Sequence, residues 1–178
     1  MGKASFAAEV SPEDHVRGSP LAKVTLVGYG DFACPECAKT YRTIKRIQKK
    51  MGARLRYVFR SFPQPEESEH SETAAEAAEC ASSQGKFWEM HDLMFENGGA
   101  SDELHLARYA ANLGLDLGRF RREMRQHVHR AKIRAVRRAG VLRGVVQAPT
   151  LFIDCSAHES TFGLATLLAA VQAAAGDS

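Results

Sequence analysis

No stretch of this sequence approaches the roughly 18 consecutive apolar residues that a membrane-crossing helix requires, so no membrane partner is expected. The segment Met1 to Glu9 lacks an apolar core of the kind an export signal carries, and none is expected there. A strong charge of one sign is also missing: 178 residues carry a formal net charge of +3. Basic residues gather at Arg119-Phe120-Arg121-Arg122 and between Arg130 and Arg143, while Glu66-Glu67-Ser68-Glu69 balances them elsewhere. That pattern reads as a solvated helical face, with no nucleic-acid partner. Cysteine is scarce, with four in all, too few for the disulfide framework of a secreted scaffold. A cytoplasmic location is expected, the periplasm being the alternative had a signal segment been removed. Repeats and low-complexity linkers are absent, and 44% hydrophobic residues suffice for one substantial core.

Two of the four cysteines stand close together, in Cys34-Pro35-Glu36-Cys37, after the apolar run Val24-Thr25-Leu26-Val27 and a short Gly28-Tyr29-Gly30-Asp31-Phe32-Ala33 connection. Pro35 suits the first position of a helix, where its missing N–H leaves no bond unmade. Cys34 then falls at the N-cap, where free backbone N–H groups and the helix dipole favour a thiolate. Such a pair suits thiol–disulfide exchange, Cys34 attacking and Cys37 resolving. Half a zinc site has the same spacing, and His70, Cys80, Cys155 or His158 could complete a scattered one; two inert cysteines are a further alternative.

The remaining text gives an α/β pattern with a long helical middle. Residues 1–20 read as an arm or edge strand. Lys23 to Val27 reads as a strand, and Pro35 to Met51 as a helix with Tyr41, Ile44, Ile47 and Met51 on one face, stopped at Gly52. Leu55 to Ser61 alternates apolar and basic residues, the period of a strand with one buried face. From Ser68 to about Gly140 the pattern is helical, with an alanine-rich stretch from Ala74 to Ala81, a bulky one around Phe87 and Trp88, and Ser101 as an N-cap. Leu151 to Asp154 returns to strand, and a closing helix runs from Phe162 to Ala175. Cys80 reads as a buried small hydrophobe, Cys155 as exposed, and Asp31 as an exposed loop carboxylate.

A Pro at the start of an apolar strand, as in Gln147-Ala148-Pro149-Thr150-Leu151-Phe152, is by itself an ordinary strand beginning. Taken with the cysteine pair it resembles the thioredoxin superfamily. Further segments narrow the resemblance to its DsbA-like members: Asp14-His15-Val16-Arg17-Gly18, Tyr29-Gly30-Asp31-Phe32, Phe59-Arg60-Ser61-Phe62-Pro63, Gln84 to Asn97, and Tyr109 to Asp116 occur in the same order. It spans about residues 14 to 154. The resemblance implies a thioredoxin-like fold with an all-helical insertion, divided as an arm over 1–20, a thioredoxin-like domain over 21–65 and 144–178, and the insertion over 66–143.

It also implies catalytic roles for Cys34, Cys37 and a cis Pro149. Substrate contacts would come from Pro35, Glu36, Ala148 and Thr150, with Ala148 offering its backbone to an extended chain. Protein or peptide disulfides and dithiols are the implied substrates, with an unidentified electron donor or acceptor and neither cofactor nor metal. Four departures stand out. Gly28 occupies the place of a buried family glutamate that relays protons to the second thiol. Glu36 replaces the usual Tyr or His, Ala148 the usual Thr or Val, and Asp154-Cys155 an Asn-Gly turn. The Glu36 charge is expected to raise the Cys34 pKa and make the couple reductase- or isomerase-like. Two other readings are a non-catalytic peptide-binding or chaperone domain and a kappa-type glutathione-using enzyme, against which Cys37 argues.

Overall fold

The computed structural model describes residues 10–176. Among them β1 (His15–Arg17), β2 (Val24–Gly30), β3 (Leu55–Ser61), β4 (Thr150–Ile153) and β5 (Ser156–Ala157) form one sheet in the order β1-β3-β2-β4-β5. β1 runs antiparallel to β3, with His15 opposite Phe59, and β4 runs antiparallel to β2, with Thr150 opposite Tyr29. The α/β class expected from the sequence is the one observed. β1 is the edge strand anticipated within the N-terminal arm, whose first nine residues lie outside the described ones.

Helix α1 (Pro35–Met51) joins β2 to β3, beginning at the proline and ending before Gly52, whose φ of 55° suits glycine. Cys37, Tyr41, Ile44, Ile47 and Met51 are its buried face, at the helical spacing the sequence shows. Between β3 and β4 come α2 (Ser71–Ser82), α3 (Phe87–Glu96), α4 (Glu103–Asn112), α5 (Leu117–Gln126) and α6 (Arg130–Leu142), and α7 (Leu164–Ala174) follows β5. The chain divides into two compact units. One holds the described residues up to Tyr29, Lys39–Arg60 and the described residues from Pro149 onward. The other holds Gly30–Ala38 and Ser61–Ala148, so the two cysteines of the Cys-Pro-Glu-Cys motif belong to the unit that holds α2 to α6.

Alanine decides the packing of that second unit. Ala74, Ala75, Ala77, Ala78 and Ala81 of α2 are fully buried, and with no side chain beyond Cβ they let α3, α4, α5 and α6 approach one helix. The acids of the same helix face the bases of α6: Glu72 meets Arg134 at 2.7 Å, Glu76 meets Arg130 at 2.9 Å, and Glu79 meets Lys132 at 2.7 Å. Much of the basic run that stood out in the sequence is therefore engaged within the fold. The third helix of the block is capped by Asp102, whose carboxylate accepts the His105 N–H, and not by Ser101, which is itself buried.

β3 also departs from the expected one-faced strand. Arg60 is buried there because a carboxylate meets it. Its guanidinium donates to both oxygens of Asp14, at 2.8 and 2.7 Å, and to the Tyr29 hydroxyl at 3.0 Å. The two charged side chains are 8% and 9% exposed. Burial pushes the Asp14 carboxyl up, but the bonds from Arg60 and the Ser11 N–H outweigh it and leave the carboxyl below its ordinary range. A lowered folded-state pKa contributes stability above the unfolded value and loses it as pH falls through the folded one. Asp14→Ala should accordingly cost about 3 kcal/mol at pH 7, because it strands a buried guanidinium. In urea unfolding the gap between wild type and variant should narrow below about pH 4; a gap that stays constant from pH 7 to pH 3 would refute the ionic account.

Candidate active site

The local sequence sets the two thiols apart. Asp31 starts the turn: its carboxylate accepts the Ala33 N–H at 2.9 Å and its carbonyl accepts the Cys34 N–H at 3.2 Å, so the chain folds back into α1. Cys34 is then the N-cap. Its sulfur takes the place of a capping oxygen and accepts the Cys37 N–H at 3.4 Å. Pro35 and Glu36 are exposed, Cys34 is half-buried and Cys37 is buried. The Asp31 N–H points at the Cys37 sulfur at 3.4 Å, and the Cys34 thiol reaches the Ala148 carbonyl at 3.9 Å.

These surroundings separate the acidities. A hydrogen bond from the Cys37 thiol lowers the Cys34 pKa to about 6, against the desolvation that raises it, with help from the backbone N–H groups of Cys37 and Glu36. The Asp31 carboxylate opposes the shift. Cys37 is pushed far up, because its thiol donates to Cys34 and is buried. The expectation that Glu36 sets a high Cys34 pKa is thus corrected. Glu36 contributes its backbone N–H, and the opposing charge comes from Asp31.

Asp31 is a second correction. It is 3% exposed, not a loop carboxylate in solvent. Its Oδ2 accepts the Gln64 N–H at 2.9 Å and the Ser71 hydroxyl at 2.7 Å. The Gln64 side chain in turn accepts the Ala148 N–H through Oε1. Sequence reasoning missed Gln64 and Ser71, and the one available hint was the spacing Asp31-Phe32-Ala33 of an Asx turn ahead of a helix. Of the Ala148 backbone that the resemblance offers to an extended chain, the N–H is engaged by Gln64 within the fold.

The other expected residues lie as follows. Pro149 precedes β4 and Thr150 opens it. Gly28 pairs with Leu151 in the sheet, and a Cβ there would lie 2.9 Å from the Tyr57 hydroxyl and 3.3 Å from Leu151 Cδ2. Packing closes the place where the resemblance puts a glutamate. His91 is buried among Phe32, Phe87, Trp88 and Phe95, whereas His70 is exposed. Cys80 is buried and Cys155 exposed.

The profile of a protein family described as thioredoxin matches residues 10–173. Over 166 residues the chain is 37% identical to a protein of Salinispora arenicola named Na(+)/H(+) antiporter NhaA 1, covering 93% of this chain and 25% of that protein. The chain spans about a quarter of the length of the curated relatives it matches. Among solved structures, a thioredoxin-like oxidoreductase from Silicibacter pomeroyi is 25% identical and superposes with a TM-score of 0.82, covering 100% of both chains. Alpha-DsbA1 of Wolbachia pipientis has the same fold, with a TM-score of 0.82 at 21% identity, covering 94% of this chain and 93% of its own.

Proposed function

The chain belongs to the thioredoxin family, and from that premise we propose that it is a DsbA-like thiol–disulfide oxidoreductase acting on protein or peptide disulfides through Cys34 and Cys37. One observation carries the reading: a half-exposed thiol at a helix start, held near pKa 6, stands beside a buried partner thiol that keeps its proton. At pH 7 a group of pKa about 6 is roughly nine-tenths ionised. The Cys34 thiolate attacks one sulfur of a substrate disulfide, forming a mixed disulfide and releasing the other sulfur as a thiolate. Cys37 then attacks Cys34, its proton passes to the departing substrate sulfur, and the Cys34–Cys37 disulfide is left. The reverse sequence oxidises a substrate dithiol. Pro35 and Glu36, beside the two thiols, are proposed to border the substrate, as the resemblance implies.

A stabilised thiolate favours the reduced form and moves the couple toward oxidising potentials, opposite to the direction expected from Glu36. The Cys34 value falls between those of thioredoxin, about 7, and DsbA, about 3.5. The proposed potential falls correspondingly between about −270 and −120 mV, where disulfide isomerases operate. Four cysteines fit a reducing compartment, and we propose the cytoplasm. For the relatives named antiporters, we infer that the shared quarter is a thioredoxin-fold part and that ion transport belongs to the rest. No helix of the described residues is long and apolar enough to cross a membrane.

Thiolate absorbance of the reduced protein should titrate with a midpoint near pH 6, and the protein should accelerate insulin reduction by dithiothreitol. A peptide-binding domain or a kappa-type enzyme would leave insulin precipitation at its uncatalysed rate. That outcome, or a midpoint above pH 8, overturns the proposal.

A further inference from the structure

Among the described residues, one group of three metal-ligating side chains of different kinds converges away from the cysteine motif: Cys80 on α2, Glu123 on α5 and His129 at the N-cap of α6. One ligand atom from each lies within 4.8 Å of the others. The Cys80 sulfur is buried, and the Glu123 and His129 side chains are 13% and 19% exposed. Glu123 Oε2 faces His129 Nε2 at 3.2 Å. The carboxylate is steadied from outside the trio by Arg119 Nε, which donates to Oε1 at 2.7 Å, and by the Ser83 hydroxyl, which donates to Oε2 at 2.9 Å.

Hydrogen bonds already draw the three together: the Glu123 carboxylate meets the Cys80 thiol, the His129 imidazole and the Arg119 guanidinium. The buried neutral positions of α2 are otherwise alanine or serine, and an alanine at position 80 would fill the helix face without setting a sulfur against a carboxylate and an imidazole. We propose that Cys80, Glu123 and His129 form a zinc-binding site that clips α2, α5 and the start of α6 together and keeps one coordination position open. Thiolate, imidazole and carboxylate are the donors zinc takes, at about 2.0–2.3 Å in a tetrahedron. Sulfur and nitrogen donors disfavour the hard cations magnesium and calcium. Around such an ion the donor atoms stand about 3.3–3.5 Å from one another, and Glu123 Oε2 and His129 Nε2 are 3.2 Å apart. Binding forms a zinc–sulfur bond and releases the Cys80 thiol proton to solvent, so loading liberates acid. Arg119 and Ser83 act as the outer partners that hold the carboxylate in position. Water fills the open position until another small ligand replaces it.

The test uses the full chain as Cys34→Ser/Cys37→Ser, so that the Cys-Pro-Glu-Cys thiols cannot bind metal. Isothermal titration with zinc should give one ion per chain, and cobalt(II) should show a sulfur-to-metal charge-transfer band with the visible spectrum of a tetrahedral ion. His129→Gln and Glu123→Gln should each weaken zinc by about 100-fold, and Cys80→Ala should abolish the charge-transfer band. His129 lies at a helix cap, so its variant keeps the test open if the buried Cys80 variant fails to fold. Cys155→Ser should change nothing. Absence of saturable zinc binding, retention of full affinity in His129→Gln, or loss of the cobalt band on Cys155→Ser instead would each overturn the proposal.

Discussion

Replacing Cys34 with serine is expected to abolish insulin reduction, while Cys37→Ser should arrest the protein as a mixed disulfide with its substrate. The two variants fail at different steps. Cys34 carries the thiolate, and a serine hydroxyl at the same N-cap is not ionised near neutral pH, so no first attack occurs. Cys37 is buried and holds its proton, which fits a group that acts only on a neighbouring mixed disulfide. Its loss spares the first attack and removes the second. Activity should fall by several orders of magnitude in Cys34→Ser. In Cys37→Ser, non-reducing gels should show a covalent adduct that dithiothreitol releases. The Cys37 thiol is also the largest influence lowering the Cys34 pKa. Cys37→Ser should therefore shift the Cys34 titration upward, unless the serine hydroxyl replaces that bond. If instead Cys34→Ser forms the adduct and Cys37→Ser does not, the assignment of nucleophile is reversed.

Gly28→Glu should unfold this protein or leave it barely folded at neutral pH, although the family pattern puts an acid at that position. The Gly28 Cα is closed over by the Tyr57 hydroxyl and Leu151 Cδ2, and Tyr57 is itself buried, so even a single Cβ demands repacking. Overpacking of that kind costs about 1–3 kcal/mol, and a carboxylate buried with no cation adds several more unless it stays protonated. Its folded pKa would rise above the unfolded value of about 4.3. A raised carboxyl contributes its best stability below the unfolded pKa and loses it as pH climbs toward the folded one. The deficit should grow by up to about 1.4 kcal/mol per pH unit over that window. Chemical denaturation at pH 5 and pH 8 reads this directly. A Gly28→Glu protein as stable as wild type at pH 8 would mean that the sheet accommodates an acid here after all. Gly28→Ala isolates the steric part and should show no such pH dependence.

What could be read from the residues alone follows how local each cause is. Helix α1 was legible end to end because its first turn carries a proline, its face repeats at helical spacing and a glycine follows it. Cys34 and Cys37 fall one turn apart for the same reason. Asp31 was not legible: what buries it are Gln64 and Ser71, 33 and 40 residues along the chain. Arg60 looked like the solvent side of a strand until Asp14, 46 residues away, supplied its counter-charge. The cap of α4 failed on a finer scale. Ser101 and Asp102 are both good caps, and which is chosen depends on whose side chain meets the His105 N–H. Strand β5, two residues long, is too short to show a period.

The bonds around the motif close on themselves. From the Cys37 sulfur they pass through the Asp31 amide and carboxylate to Gln64, through its side chain to the Ala148 N–H, and from the Ala148 carbonyl back to the Cys34 thiol and the Cys37 N–H. Two links of that loop change when the sulfurs join: the Cys34 S–H to Ala148, made by the protonated thiol, is lost, and the bond from the Cys37 N–H to the Cys34 sulfur weakens as that sulfur loses its charge. Folding and oxidation therefore lie on one thermodynamic square. Any free energy by which the loop favours the dithiol fold over the disulfide fold must reappear, undiminished, as a displacement of the reduction potential from that of the unfolded chain, at about 30 mV for each 1.4 kcal/mol. The loop is in this sense a conversion between mechanical order and electrical work: each hydrogen bond sensitive to sulfur oxidation is a fraction of the protein's voltage.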